Sequence, residues 1–200
     1  MTLLARTTPR YTAVAQALHW LLALGLIGQL GLGLVMVHAG LPRMAMFKYY
    51  QLHKSIGITI LLVALLRLLW RLTHRPPELP AAMPRLEKAG AHGAHVVLYL
   101  LMIGLPLVGW IMVSVSPFNL PTVLFGVVPW PHIPGLSAIA DKKYWEGVAK
   151  FVHAYGAYLL IGLIALHALA ALRHHFVLRD DILLRMLPGG RRAKSSPAKV

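Results

Sequence analysis

The 200-residue sequence contains no cysteine. Structural disulfides, iron–sulfur clusters and thioether-attached haem all need thiols, so none of them is available to this chain. A redox cofactor would therefore have to be held by other ligands.

Acidic residues are scarce as well. Six Asp and Glu stand against twenty Lys and Arg, and 13% of the residues are charged. A basic excess of this size is typical of proteins that meet nucleic acid or anionic lipid. The apolar fraction is 58%, the mean hydropathy is +0.65, and the basic residues lie between long apolar runs. The sequence therefore favours membrane lipid as the partner and excludes nucleic acid.

Four apolar runs are each long enough to cross a bilayer, which takes about 20 helical residues. We predict transmembrane helices over about 12–37, 51–72, 92–115 and 147–175. The first run exceeds the roughly 7–15 apolar residues of a signal peptide, so we expect a retained helix. The predicted fold is all-α, an integral membrane four-helix bundle in one domain over 1–188, with a basic disordered tail over 189–200.

The distribution of basic residues predicts the orientation. Thirteen of the twenty Lys and Arg lie in the N-terminal segment, the second connection and the C-terminal tail, and six lie in or beside the first and third connections. The positive-inside rule then places both termini in the cytoplasm. The Pro-rich connection over 116–146 is too short for another span. We expect it to form a partly ordered outer cap with Trp130 and Trp145 as interfacial anchors.

Four histidines lie inside the predicted helices, where polar side chains are costly and tend to be functional: His19, His53, His153 and His167. The last two are 14 positions apart on one helix, which places them on one face about 21 Å apart along the axis. By the order of the spans, His53 lies at the depth of His153, and His19 at the depth of His167. The sequence thus predicts an outer pair, His53/His153, and an inner pair, His19/His167.

Two imidazole pairs stacked across a four-helix bundle suit two haems, each with one imidazole on either face of the iron. An iron ligated in this way has no open position for substrate, which favours electron transfer over oxygen chemistry. The alternative for any single histidine is a hydrogen bond to a neighbouring helix. A metal transporter or sensor would be expected to carry carboxylates along its path, and no Asp or Glu occurs in the four apolar runs.

Arg67 lies 14 positions after His53 and therefore at the depth of the inner pair. Arginine suits carboxylates, so we predict that Arg67 binds a haem propionate, with Arg71 one turn later as a second candidate. The alternative is that Arg67 extends to the inner headgroups. Several glycines would let either a flat ring or a neighbouring helix approach the backbone: Gly25, Gly28, Gly31, Gly33, Gly57 and Gly156.

Four stretches of the chain carry a family resemblance: ALHW around His19, QLHKSIGITILLVALLRLLWRL around His53, AHGAHVVLYLLMIGLPLVGW in the third helix, and HALAALRHHF with DDILLRMLP near the end. In order and spacing they resemble the bacterial cytochrome b561 family, over about Tyr11 to Pro188. The resemblance implies a dihaem b-type cytochrome of the bacterial inner membrane that exchanges electrons with quinone. It assigns the axial ligands to His19, His53, His153 and His167. It also implies an electron-transfer oxidoreductase that uses an outer-face donor such as superoxide, and ubiquinone or another quinone.

His174 closes the fourth helix on the inner side. We predict it as a quinone-site residue, a hydrogen-bond donor and proton carrier, because histidine exchanges protons near neutral pH. Solvation at the interface is the alternative, for His174 as for His74, His92, His95 and His175. A second function stays open, a haem b membrane anchor of a larger respiratory dehydrogenase or hydrogenase. A homodimer also stays open.

Overall fold

A computed structural model describes residues 10–189 of the chain, and the predicted tail therefore lies almost wholly outside the described residues. The described part contains four long helices: α1 Ala13–His38, α2 Arg43–Thr73, α3 Arg85–Val115 and α4 Lys142–Arg173. A π-helical turn, His174–Leu178, continues α4, and a short helix, α5 Ile182–Met186, follows. All four long helices have the length and apolar character to cross a membrane. The predicted all-α membrane bundle is confirmed.

Three of the helices begin earlier than predicted. α2 starts directly after Pro42 and α3 directly after Pro84, and α4 starts at Lys142. Hydropathy detects only the apolar stretch of a helix, whereas polar turns such as the one with Lys48 prolong the helix beyond it. α1 begins close to its predicted start because the Thr12 hydroxyl accepts a hydrogen bond from the Ala15 amide at 3.2 Å.

The helices pack in chain order, α1 on α2, α2 on α3 and α3 on α4. Their shared core is apolar and small, and many leucines outside it are more than half exposed, as a lipid-facing surface requires. Gly156 on α4 allows the closest approach, since a β-carbon there would lie 2.6 Å from Leu105 Cδ2 on α3. The core residues are Leu22, Leu26, Ile60, Ala64, Leu98, Met102, Leu105 and Leu160.

The first and last described segments of the chain meet at one end of the bundle, which we call the termini end. There the α5 segment returns to the start of α1. Arg10 donates to the Leu187 carbonyl at 2.5 Å, and the Trp20 indole N–H donates to the Met186 carbonyl at 2.9 Å. An even number of spans requires this arrangement. The cytoplasmic location of the termini end stays a prediction from loop charge.

The opposite end is covered by a β-hairpin, and we call it the hairpin end. Strand β1, Thr122–Leu124, pairs antiparallel with β2, Val128–Trp130. At the turn, Phe125 adopts a left-handed conformation (φ 51°), and its amide donates to the buried Ser55 hydroxyl on α2 at 2.9 Å. The sequence suggested a partly ordered cap, and the structure supplies a hairpin docked on α2.

The two tryptophans predicted as anchors differ in surroundings. The Trp130 ring packs against Trp110 of α3 with 5.4 Å between ring centroids, and Trp110 donates to the Pro131 carbonyl at 2.9 Å. Trp145 is about half exposed at the start of α4. Trp130 thus fastens the hairpin to the bundle, and only Trp145 presents a broad surface outwards.

Candidate haem sites

The rings of His19 and His167 lie side by side near the termini end. Their centroids are 6.2 Å apart and their planes cross at 72°. His19 comes from α1, one residue before the Trp20 that binds the α5 segment, and His167 comes from the last turns of α4. Both side chains are half-buried.

The rings of His53 and His153 form a second pair near the hairpin end. Their centroids are 6.1 Å apart and their planes cross at 71°. His53 lies two residues before Ser55, which holds the hairpin, and Lys54 donates to the Pro121 carbonyl at 3.1 Å. The structure therefore brings the four histidines together in the two combinations predicted from the sequence.

The spacing within both pairs suits one metal ion between two rings. An imidazole nitrogen binds a transition metal at about 2.0 Å and lies about 1.1 Å from its ring centre, so two rings on one metal have centres about 6 Å apart. Within residues 10–189, no three side chains of His, Asp or Glu converge to hold a bare ion. Two imidazoles suffice for a haem, because the macrocycle supplies the four remaining nitrogens. The donor set therefore fits haem iron.

The two pairs bridge helices that are not in close backbone contact. Among the described residues, neither α1 nor α2 packs its backbone closely along α4. Each histidine pair spans this separation, with one ring from α4 and the other from α1 or α2.

Two glycines lie directly against imidazoles. A β-carbon on Gly33 of α1 would lie 3.5 Å from His53 Cε1, and one on Gly109 of α3 would lie 3.2 Å from His153 Cε1. Of the predicted glycines, three face side chains of neighbouring helices, as plain helix packing requires: Gly25, Gly57 and Gly156. Gly28 and Gly31 have open space around the position of a β-carbon.

The Nδ1 atoms of His53 and His153 differ in their hydrogen-bond partners. His153 Nδ1 lies 3.1 Å from the Leu105 carbonyl of α3. A carbonyl only accepts, so Nδ1 carries the hydrogen and Nε2 has a free lone pair. His53 Nδ1 is buried and has no hydrogen-bond partner in the described part of the chain. The Gln29 amide of α1 donates to the His53 carbonyl at 2.9 Å, a contact that the sequence did not indicate.

Arg67 lies between α2 and α1 near the first pair. Its guanidinium donates to the Ala15 carbonyl of α1 at 2.8 Å, one turn before His19. The Arg71 guanidinium lies 5.8 Å from the centre of the Tyr99 ring. The Tyr99 hydroxyl is buried without a hydrogen-bond partner among the described groups. These three residues line one cavity with Arg10 and Arg75, and none of the described residues that line it is acidic.

His174 is buried instead of solvated, which differs from the interfacial alternative. Its Nδ1 lies 2.5 Å from Asp180 Oδ2, and its Nε2 lies 3.2 Å from Glu87 Oε1. Arg173 also binds Glu87, at 2.9 Å. Sequence reasoning missed both carboxylates, because Glu87 lies before the apolar run of α3 and Asp180 follows the π-helical turn. The His174 side chain is thus placed between two proton acceptors.

His95 of α3 is a further residue near the first pair. Its ring lies 5.4 Å from the His167 ring, with the planes crossing at 78°. The sequence analysis considered it only with the histidines that solvent at the interface could satisfy. The available indication was its helical spacing, since His95 precedes Tyr99 by four residues and therefore shares its face of α3.

Residues 10–189 match the family model described as prokaryotic cytochrome b561. Cytochrome b561 homolog 2 of Escherichia coli (strain K12) is 34% identical over 182 residues, which cover 90% of this chain and 93% of the relative. Probable superoxide oxidase CybB of Yersinia pestis is 33% identical over 182 residues, covering 90% and 96%. Cytochrome b561 homolog 1 of Escherichia coli (strain K12) is 28% identical over 138 residues, covering 69% and 74%.

Proposed function

The chain belongs to the prokaryotic cytochrome b561 family, and on that premise we propose that it is a dihaem electron-transfer oxidoreductase of the bacterial inner membrane. It would carry electrons between a donor at the hairpin end and quinone at the termini end. The observation that carries the proposal is the near-identical spacing of the two imidazole pairs, 6.2 and 6.1 Å. The α4 ligands of these pairs are about 21 Å apart along the helix axis.

Each histidine pair would hold one haem b. When bound, haem supplies a reversible one-electron change at its iron. The two imidazoles of each pair would ligate the haem iron and so would leave it no open position for a substrate. The protein would therefore provide two redox centres, one near each end of the bundle. An electron would cross the membrane in shorter steps instead of one long step.

Arg67 and Arg71 would bind the propionates of the haem held by His19 and His167. Arginine binds carboxylates through a planar set of donors. Support comes from the cavity that both residues line, whose described lining contains no acidic residue, and from the Tyr99 hydroxyl beside Arg71. This hydroxyl has no hydrogen-bond partner among the described groups and could donate to a carboxylate. The cavity lies at the termini end, because Arg10 lines it as well.

Quinone would bind at the termini end, near His174. Reduction of one quinone to quinol takes two electrons and two protons. The Nδ1 and Nε2 contacts of His174 with Asp180 and Glu87 support a role in moving those protons towards the quinone oxygen. A direct hydrogen bond from His174 to the quinone would require one of the two imidazole nitrogens to break its contact with Asp180 or Glu87.

Superoxide is the proposed outer donor. The Yersinia pestis relative carries the name of a probable superoxide oxidase. Two superoxide ions would each give one electron and leave as dioxygen, and the two electrons with two protons would convert one quinone to quinol. Basic side chains outnumber acidic ones at the hairpin end and would attract an anion: Arg43, Lys48, Lys54, Lys142, Lys143 and Lys150.

A membrane-anchor subunit is the second candidate function. The hairpin presents exposed apolar side chains at its turn, Phe125 at 60% and Val127 at 78% exposure, which a partner subunit could cover. An anchor would co-purify with a catalytic subunit and would accept electrons from it alone.

The deciding experiment mixes purified protein rapidly with superoxide and follows the haem absorption, with and without added quinone. We expect reduction by superoxide, its loss when superoxide dismutase is present, and reoxidation by quinone. A His53→Ala variant should slow reduction. Haem that stays oxidised with superoxide, and becomes reduced only with a co-purified partner, would instead establish the anchor role.

A further inference from the structure

We propose that His95 of α3 accepts a hydrogen bond from His167 Nδ1 and so acts as a positioning residue that lowers the midpoint potential of the haem at the His19/His167 pair. This inference rests on the proposed dihaem function. It concerns a residue to which neither the pairing nor the propionate contacts assign a role.

The distance between the two rings suits a hydrogen bond. The His95 and His167 centroids are 5.4 Å apart, and the rings meet edge to face. With an N···N distance of about 3 Å and about 1.1 Å from each nitrogen to its ring centre, hydrogen-bonded imidazoles have centres about 5 Å apart. The observed separation of 5.4 Å is close to that value.

The tautomer of His95 is set by its own helix. Its Nδ1 lies 2.7 Å from the Ala91 carbonyl, one turn earlier. The carbonyl can only accept, so Nδ1 must be the protonated nitrogen. In a neutral ring Nε2 then carries a lone pair, and it is the nitrogen farther from the backbone. His95 thus offers an acceptor beyond its own helix.

His167 needs such an acceptor. A histidine that binds metal through one nitrogen almost always donates its other N–H to a carbonyl, carboxylate or water. The α4 ligand of the other pair already has one, since His153 Nδ1 lies 3.1 Å from the Leu105 carbonyl. Within residues 10–189 the His167 ring makes no comparable hydrogen bond, and the His95 ring lies nearer to it, at 5.4 Å, than the ring of its partner His19, at 6.2 Å. α3 would thus serve both α4 ligands, once through backbone and once through imidazole.

The hydrogen bond would change the haem potential in a defined direction. Donating Nδ1–H to an imidazole nitrogen increases the electron density of the His167 ring. A more electron-rich ligand stabilises ferric iron relative to ferrous iron. Removal of the acceptor should therefore raise the midpoint potential at the His19/His167 pair and leave the His53/His153 pair unchanged.

The test compares three variants of the purified, haem-loaded protein. His95→Leu removes the acceptor, and His95→Gln restores one through its amide oxygen. His92→Leu is the matched control, because His92 lies one turn earlier on α3, is exposed, and binds its own helix in the same way, with Nδ1 2.7 Å from the Lys88 carbonyl. The readouts are a potentiometric titration of the two haems and the electron paramagnetic resonance signals of the ferric protein.

We expect His95→Leu to raise one of two midpoint potentials and to move one of two low-spin ferric signals. His95→Gln should bring the shifted potential and the shifted signal back towards their wild-type values. His92→Leu should leave all potentials and signals unchanged. Two haems with unchanged potentials in His95→Leu would overturn the assignment of His95. If His95→Leu loses a haem, retention of both haems by His95→Gln supports the assignment, and loss in both variants overturns it. A wild-type protein without two haems would refute the proposed function itself.

Discussion

Gly109 of α3 lies directly against the imidazole of His153 on α4. A β-carbon at Gly109 would come within 3.2 Å of His153 Cε1 and 3.5 Å of Nδ1. The same ring is held from α3 by the Leu105 carbonyl, 3.1 Å from Nδ1. The ring therefore has little freedom to turn or to retreat, and its direction is decided by backbone atoms of the neighbouring helix.

Gly109→Val should consequently displace the His153 ring and remove one haem. The branched side chain would occupy the space of Cε1, and neither the glycine backbone nor α4 can shift cheaply in a close-packed bundle. Haem content per chain, measured on purified variants, checks the prediction. Gly104→Val is the control, because a β-carbon at Gly104 on the same helix meets nothing within 4 Å. Equal haem content in the two variants would contradict this role of Gly109.

Arg67→Gln should lower the midpoint potential of one haem. A cation near an iron favours the reduced state, and a unit charge about 10 Å away is worth about 1–2 kcal/mol at an effective dielectric constant of about 20. Redox titration of the variant measures the shift. Arg75→Gln serves as the control, since Arg75 lines the same cavity but is exposed and its charge is screened. Unchanged potentials in Arg67→Gln would remove Arg67 from the haem environment.

His174→Asn should leave the haem spectrum intact and slow quinone turnover. Loss of a general acid typically costs about 10²–10⁴-fold in rate. The rate of quinone turnover would fall because the variant lacks the imidazole that lies between Asp180 and Glu87. Stopped-flow oxidation by quinone checks this, with the neighbouring His175→Asn as the control. Unaltered quinone kinetics in His174→Asn would contradict the proposed quinone site.

Ser55→Ala should loosen the hairpin without unfolding the bundle. The Ser55 hydroxyl accepts a hydrogen bond from the Phe125 amide at 2.9 Å. Leaving this amide without a partner should destabilise the docked hairpin by about 1–3 kcal/mol. Hydrogen exchange of the Phe125 amide should accelerate by about tenfold or more. Thr59→Ala is matched to it, because the Thr59 hydroxyl binds only its own helix, at the Ser55 carbonyl. Equal exchange in the two variants would show that Ser55 does not hold the hairpin.

The four spans and the contacts within the two histidine pairs could be predicted because each follows from a periodic property. Apolar length identifies a span, and an even number of spans brings the start of α1 and the end of α4 to the same end of the bundle. The 14-residue interval of His153 and His167 places them on one face of α4 whatever the packing of the helix. The order of the spans then selects the partners of these rings, His53 and His19.

The remaining contacts depend on features that no local pattern encodes. Glu87 reaches His174 because α3 extends seven residues before its predicted start. Asp180 reaches the same ring because it follows the π-helical turn that begins at His174. His95 meets His167 only at the particular rotation of α3 on α4. The hairpin register depends on tertiary contacts such as that of Ser55 with Phe125. The residues that make these contacts have no marked secondary-structure propensity that would reveal them in the sequence.

Whether the chain holds two haems is decided by the haem content of the purified protein, determined as the pyridine haemochrome against protein concentration. We predict two haems b per chain, falling to about one in His53→Ala or His153→Ala, and likewise in His19→Ala or His167→Ala. The two classes of variant should retain spectrally different haems. A colourless wild-type protein expressed with ample haem, or one haem that survives all four substitutions, would contradict the account.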